Sequence, residues 1–116
     1  MYIYIASPYS HKDAEVRNDR YEKVAWFAAD QIKKKKIVYS PILHNHPIAV
    51  KYKLPKMFRF WEKFDQVMID GCDELWVLKL PEWEHSRGVK LEIEYAIGLG
   101  KKVTYFNERG DVEPLV

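Results

Sequence analysis

The chain has 116 residues, 19 basic and 17 acidic side chains, a net charge of +2, 47% hydrophobic residues and 15% aromatics. That is one domain, residues 1–116, able to bury a core unaided, and its charge is too balanced for the footprint of a nucleic-acid polymer. The single cysteine, Cys72, excludes an internal disulfide and a cysteine metal cluster. No apolar run reaches the roughly 18 residues of a membrane span, and no signal-peptide pattern precedes the first strand, so the expected location is cytoplasmic with no membrane partner.

Residues 2–6 form a short run apolar on both faces, as a central parallel strand should be. Ser7-Pro8-Tyr9-Ser10 follows as a turn at the carboxyl end of that strand, where open α/β sheets bind ligands. Ser7, Pro8 and Tyr9 are therefore candidate substrate contacts, although an ordinary strand-to-helix turn reads the same way. Residues 13–35 predict a helix, with Val16, Tyr21, Val24, Phe27, Ala28 and Ile32 as its apolar stripe. Arg17 and Arg20 lie near its start, either facing an anion or solvated. Lys33-Lys34-Lys35-Lys36 complements the dipole at the helix end rather than forming a phosphate-backbone patch.

Residues 36–40 predict the second strand, ended by Pro41. Residues 42–47 then read as a polar loop holding His44 and His46, and residues 49–55 as an irregular segment. A two-residue histidine spacing in a loop is a weak metal signal. No metal is expected, and a substrate contact is expected from this pair. Residues 56–71 predict a helix whose buried face is Met57, Phe60, Trp61, Phe64, Val67 and Met68, interrupted by Asp65 and Asp70. Its aromatics could stack on a base, but a stripe at helical spacing is more often core. Residues 74–80 form a buried strand with Cys72 packed beside it as a small hydrophobe.

After a polar loop, Ser86 reads as the N-cap of a helix with Gly88 in its first turn. Free backbone N–H groups and the helix dipole make that end an anion site. Glu92 lies six positions past the cap, about 9 Å along the axis, on the face of Gly88. Its side chain leans back toward the N-terminus. A phosphate at the cap and a carboxylate one sugar length away would suit a nucleotide, while a solvated glutamate behind a common cap leaves the same trace. Gly98 and Gly100 end the helix, residues 102–106 form the last strand, and residues 107–116 read as a polar tail with an apolar end. The order implies an α/β fold: a flavodoxin/Rossmann-like open parallel sheet of about four strands with helices on both faces. No G-x-G-x-x-G or Walker loop is present.

Three segments together resemble the nucleoside 2-deoxyribosyltransferase superfamily, including the 2′-deoxynucleoside 5′-phosphate N-hydrolases. They are Tyr4-Ile5-Ala6-Ser7-Pro8, then Asp65 with Asp73 eight residues on, then Ser86-x-Gly88-x-x-x-Glu92-Ile93-x-x-Ala96. The stretch from Ser40 to His46 is similar to a Ser-Pro-Ile-x-His-x-His loop of small, functionally unassigned relatives. The resemblance implies Glu92 as the nucleophile at the anomeric carbon and Tyr4 as a tyrosine beside it. It also implies Asp65 as an acid that binds sugar and assists base departure, and Ser86 and Gly88 as the pocket for the 5′ end. The chain departs from the hydrolases in lacking a glycine-rich, arginine-bearing first loop, and in carrying Lys90 where that subgroup has a glycine.

The chemistry suits these residue types. An N-glycosidic bond breaks through an oxocarbenium-like state that a carboxylate can stabilise or trap, while a second carboxyl protonates the departing base. The expectation is a cofactor-free glycosidase or deoxyribosyltransferase acting on a small nucleotide or nucleoside. It passes the sugar to water or another base, and the resemblance implies a homo-oligomer, dimer or higher. The alternatives are a non-catalytic nucleotide-sensing module and, last, an interaction protein.

Overall fold

Five strands and four α-helices alternate along the described residues, 2–113, of the computed structural model. The elements are β1 (Ile3–Ala6), α1 (Ala14–Lys33), β2 (Val38–Tyr39), α2 (Pro41–Tyr52), α3 (Phe58–Asp70), β3 (Glu74–Lys79), α4 (Arg87–Gly98), β4 (Lys102–Asn107) and β5 (Val112–Glu113). A single 3₁₀ turn, Trp83–His85, leads into α4. The sheet order is β2-β1-β3-β4-β5. The first three pairings are parallel, and β5 is antiparallel to β4. The fold is thus the Rossmann-like α/β architecture expected. The polar tail supplies one more strand than expected, because Val112 and Glu113 fold back on Phe106 and Tyr105. The apolar end of that tail, 114–116, lies outside the described residues.

Strand alternation divides the core in two. Ile5, Trp76, Leu78 and Phe106 face one side and pack with Val24, Phe27 and Ala28 of α1 and Ile42 of α2. Tyr4, Ala6, Leu75 and Val77 face the other and pack with Ile69 of α3, Cys72, and Val89 and Ala96 of α4. Helices therefore cover both faces, which suits strands apolar all round. In this order the sheet grows from β1 toward β2 on one side and then toward β3 and β4 on the other, so the winding reverses at the β1/β3 boundary, and ligands of open α/β sheets bind at such a switch point.

Three local expectations are corrected. The stretch 42–52 is helix, not loop: Ser40 Oγ accepts from Leu43 N at 3.2 Å, and Pro41 takes the first helical position. Pro47 sits inside α2 with its ring at the surface, and the helix runs on to Lys53, which closes it in the left-handed conformation at φ 57°. The buried face of α3 is also rotated from the expected stripe. Met57, Phe60, Phe64 and Val67 are exposed, while Asp65 and Ile69 are buried. The hydrophobic spacing pointed to the wrong face because the inward face carries a carboxylate. Finally β2 is two residues long, with Ile37 exposed beyond it.

On α1, Asp13 is the N-cap, and Arg20 and Gln31 join the buried face while Ile32 lies at the surface. Arg20 donates to Ser10 O at 3.0 Å and pairs with Glu82 at 3.5 Å, and Arg17 donates to His11 O. Both arginines brace the first loop rather than await an anion.

Candidate active site

The carboxyl ends of β1 and β3 open into a cleft of about 740 Å³ walled by α2, the start of α3 and the start of α4. Ser7, Tyr9 and Ser10 from the loop after β1 line its floor. Pro8 is buried but does not line it.

Ser86 caps α4, its Oγ accepting from Val89 N at 3.2 Å. That hydroxyl is committed to the helix, so the groups offered to a ligand are the first-turn N–H groups of Arg87 and Gly88, which have no acceptor within the helix. One turn on, Glu92 is 5% exposed, and Asp65 of α3 is 4% exposed. The two carboxyl groups line the cleft together and their titrations are linked. Neighbouring buried carboxyl groups resist ionising together. Burial supplies the cause: it pushes Asp65 up to about 7. Burial, followed by the charge of Asp65, raises Glu92 well above the usual range. Tyr4, fully buried on β1, opposes that rise by donating its hydroxyl to Glu92 Oε2 at 2.5 Å. Both carboxyl groups are raised, so the pair retains a proton near neutral pH, and Tyr4 holds Glu92 Oε2 in place.

Buried polar atoms without a hydrogen-bond partner mark the same place: Ser7 Oγ, Asp65 Oδ1 and Tyr39 Oη among the described residues. Buried polar groups are rarely left unpaired, and Ser7 and Asp65 both line the cleft, so a ligand's hydroxyls or water would satisfy them. The Tyr39 ring tilts over Tyr4 with centroids 5.8 Å apart, and burial raises its hydroxyl pKa, helped by the charges of Asp65 and Glu92.

Around the mouth, Lys56, Arg59 and Arg87 bring positive charge, while Trp61 and Met57 add apolar surface. Gly88 is required by packing: a Cβ there would lie 2.8 Å from Phe58 Cδ1 and 3.2 Å from Cγ. The bare glycine is thus filled by Phe58, which sets the start of α3 against the start of α4. Gly88→Val should push Phe58 aside, lower stability by about 1–3 kcal/mol and weaken ligand binding. Thermal unfolding and a ligand titration on the same variant check both parts.

Of the residues singled out in the sequence, Glu92, Asp65, Ser7, Tyr9, His46, Ser86 and Gly88 all line this cleft. Tyr4 reaches it through Glu92. His46 is hydrogen-bonded to Tyr9 and lies against Tyr21 with centroids 4.7 Å apart, and burial lowers its pKa, so it is neutral near pH 7. His44, expected as a substrate contact, does not line the cleft. Its ring stacks on Phe64 and its Nδ1 meets Asn45 Oδ1. Asn45, Lys56, Arg59 and Arg87, which also line the cleft, were not legible as site residues. The first depends on α2, and the cations on a helix-to-helix contact distant in sequence. No group of three histidine, cysteine or carboxylate residues suited to a metal occurs among the described residues. Among the described residues, no helix is long and apolar enough to cross a membrane.

Fold and site together define an open α/β-sheet protein with a buried carboxyl pair in a cleft at the switch point of its sheet. The chain belongs to the family described as Domain of unknown function (DUF1937), whose model matches residues 1–108. No curated protein matches it.

Proposed function

We propose that the protein cleaves the N-glycosidic bond of a nucleoside 5′-monophosphate or nucleoside, using Glu92 as nucleophile and Asp65 as general acid. The observation that supports this best is the buried pair with Tyr4 holding one carboxylate oxygen of Glu92. In the first step Glu92 forms a C–O bond to the anomeric carbon as the C–N bond breaks. The bonding pair leaves with the base, which takes the proton of Asp65. In the second, water or another base attacks the same carbon, the glycosyl ester breaks, and Glu92 is restored as carboxylate. Asp65 takes back a proton from an attacking water. Desolvation keeps Asp65 protonated up to about 7, which suits it to donate.

The first turn of α4 and the cations Arg59 and Arg87, all of which line the cleft, would hold a 5′-phosphate. The expected substrate is accordingly the 5′-monophosphate ahead of the nucleoside. Chromatography of a panel of both, incubated with and without an added free base and with a chelator, tests the reading. Release of free base supports it, transfer to the added base assigns a transferase, and retained activity under chelation agrees with metal-independent chemistry. Melting shifts without any turnover assign a sensing module instead.

A further inference from the structure

Asn45 is a buried polar group of the cleft that the reaction above leaves unused. It is 7% exposed and lines the cleft on α2, between the apolar residues Ile42 and Ala49. Its Oδ1 lies 2.7 Å from His44 Nδ1. An amide oxygen only accepts, so the proton of that bond sits on His44 Nδ1. His44 is held in place by rings: it stacks on Phe64 with centroids 5.6 Å apart and tilts over Tyr39 at 6.2 Å. Among the described residues this is the side-chain hydrogen bond that Asn45 makes.

The consequence follows from the shape of an amide. Left free, an asparagine rotates to present oxygen or nitrogen and so reads donors and acceptors alike. Here the oxygen is engaged by His44, which does not line the cleft, so the nitrogen on the other branch of the planar group is the end that remains for a ligand. The reacting carbon belongs beside the carboxyl pair and the 5′ end beside α4. The wall of α2, apolar apart from one fixed donor and the neutral His46, is what remains for a flat heterocycle.

We propose that His44 and Asn45 form a base-selecting element in which Asn45 Nδ2 donates to a carbonyl oxygen of the base, so that keto bases are taken and their amino counterparts refused. This rests on the reading of the cleft as a nucleotide or nucleoside site. An amino group set against the amide nitrogen opposes donor to donor and leaves both unpaired in a buried place, which is the stronger part of the discrimination. His44 is the positioning residue, since its bond decides which end of the amide faces the ligand.

The test uses pairs differing at one exocyclic group and the ring nitrogen beside it: inosine against adenosine 5′-monophosphate, and uridine against cytidine 5′-monophosphate, with their deoxy forms. Binding is read by calorimetric titration and cleavage by chromatography. The expected result is a preference for the keto member of roughly 10- to 100-fold, the scale of one buried donor left unpaired. His44→Phe keeps an aromatic ring against Phe64 and removes the Nδ1 donor, so Asn45 is free to turn and the ratio should fall to within a few-fold. Asn45→Leu should remove the preference as well. Equal use of both members, a preference for the amino member, or an unchanged ratio in His44→Phe overturns the proposal, and cleavage in those same assays leaves the glycosidase reading standing. Keto-selective binding that His44→Phe relaxes, with no cleavage of any substrate, supports the proposal and overturns the glycosidase reading.

Discussion

Glu92→Gln should lower turnover by at least roughly 100-fold, the low end for losing one nucleophilic or proton-transfer group. The substitution keeps the shape and the Tyr4 contact while removing the charge that stabilises or traps the sugar cation. Glu94 is the internal control. It lies roughly 200° around α4 from Glu92 and is exposed, so Glu94→Gln should leave turnover within a few-fold. Stability should not suffer in Glu92→Gln, because a buried carboxyl beside another is a folding cost that the neutral amide relieves. Steady-state kinetics and thermal unfolding on the two variants give the answer. Near-native turnover in Glu92→Gln would remove the proposed nucleophile.

Asp65→Asn should show the second-largest effect and tie activity to stability through one proton. Burial raises the Asp65 carboxyl from an ordinary 3.8 to about 7, so the folded chain holds that proton more tightly than the unfolded chain. Stability from this group is fully present below about pH 4 and is lost as pH rises to about 7. The native protein should therefore lose stability from about pH 4 to about 7, and Asp65→Asn, which has no proton to lose there, should show a smaller fall. In turnover, the native enzyme should decline above about pH 7 as the general acid ionises. Asp65→Asn should be slower by roughly 10²–10⁴-fold, with that limb absent from its profile. Denaturant unfolding across the pH range, and rate against pH for both proteins, test this. A native stability that rises between pH 4 and 7 would contradict a protonated Asp65.

The position of Glu92 came from its phase on one helix relative to Gly88, which is local geometry that a sequence encodes well, while the role expected of it came from the resemblance. Ser86, Gly88 and Glu92 needed only the rise and turn of an α-helix to be placed on one face. The parallel sheet was legible for a similar reason: residues 3–6 and 75–78 are apolar on both faces, and burial between two helical layers suits such strands. The tertiary structure decided what depends on distant partners. Gly88 looked like room for a ligand, but Phe58, thirty positions earlier, fills it. The apolar stripe of α3 pointed outward because Asp65 had to meet Glu92, and a carboxylate is placed inside a fold only by its partner, which no periodicity records. Pro47 hid α2, since a proline reads as a break wherever the surrounding packing that tolerates it is out of sight. His44 was visible as a polar residue in the right segment, but its bond to Asn45 and its stacking on Phe64 come from how α2 sits on the edge of the sheet beside α3. Sequence thus determined the sheet and placed Ser86, Gly88 and Glu92 on one face of the helix beside it. The tertiary structure determined which side chains face the cleft, because that follows from contacts between helices far apart in the chain.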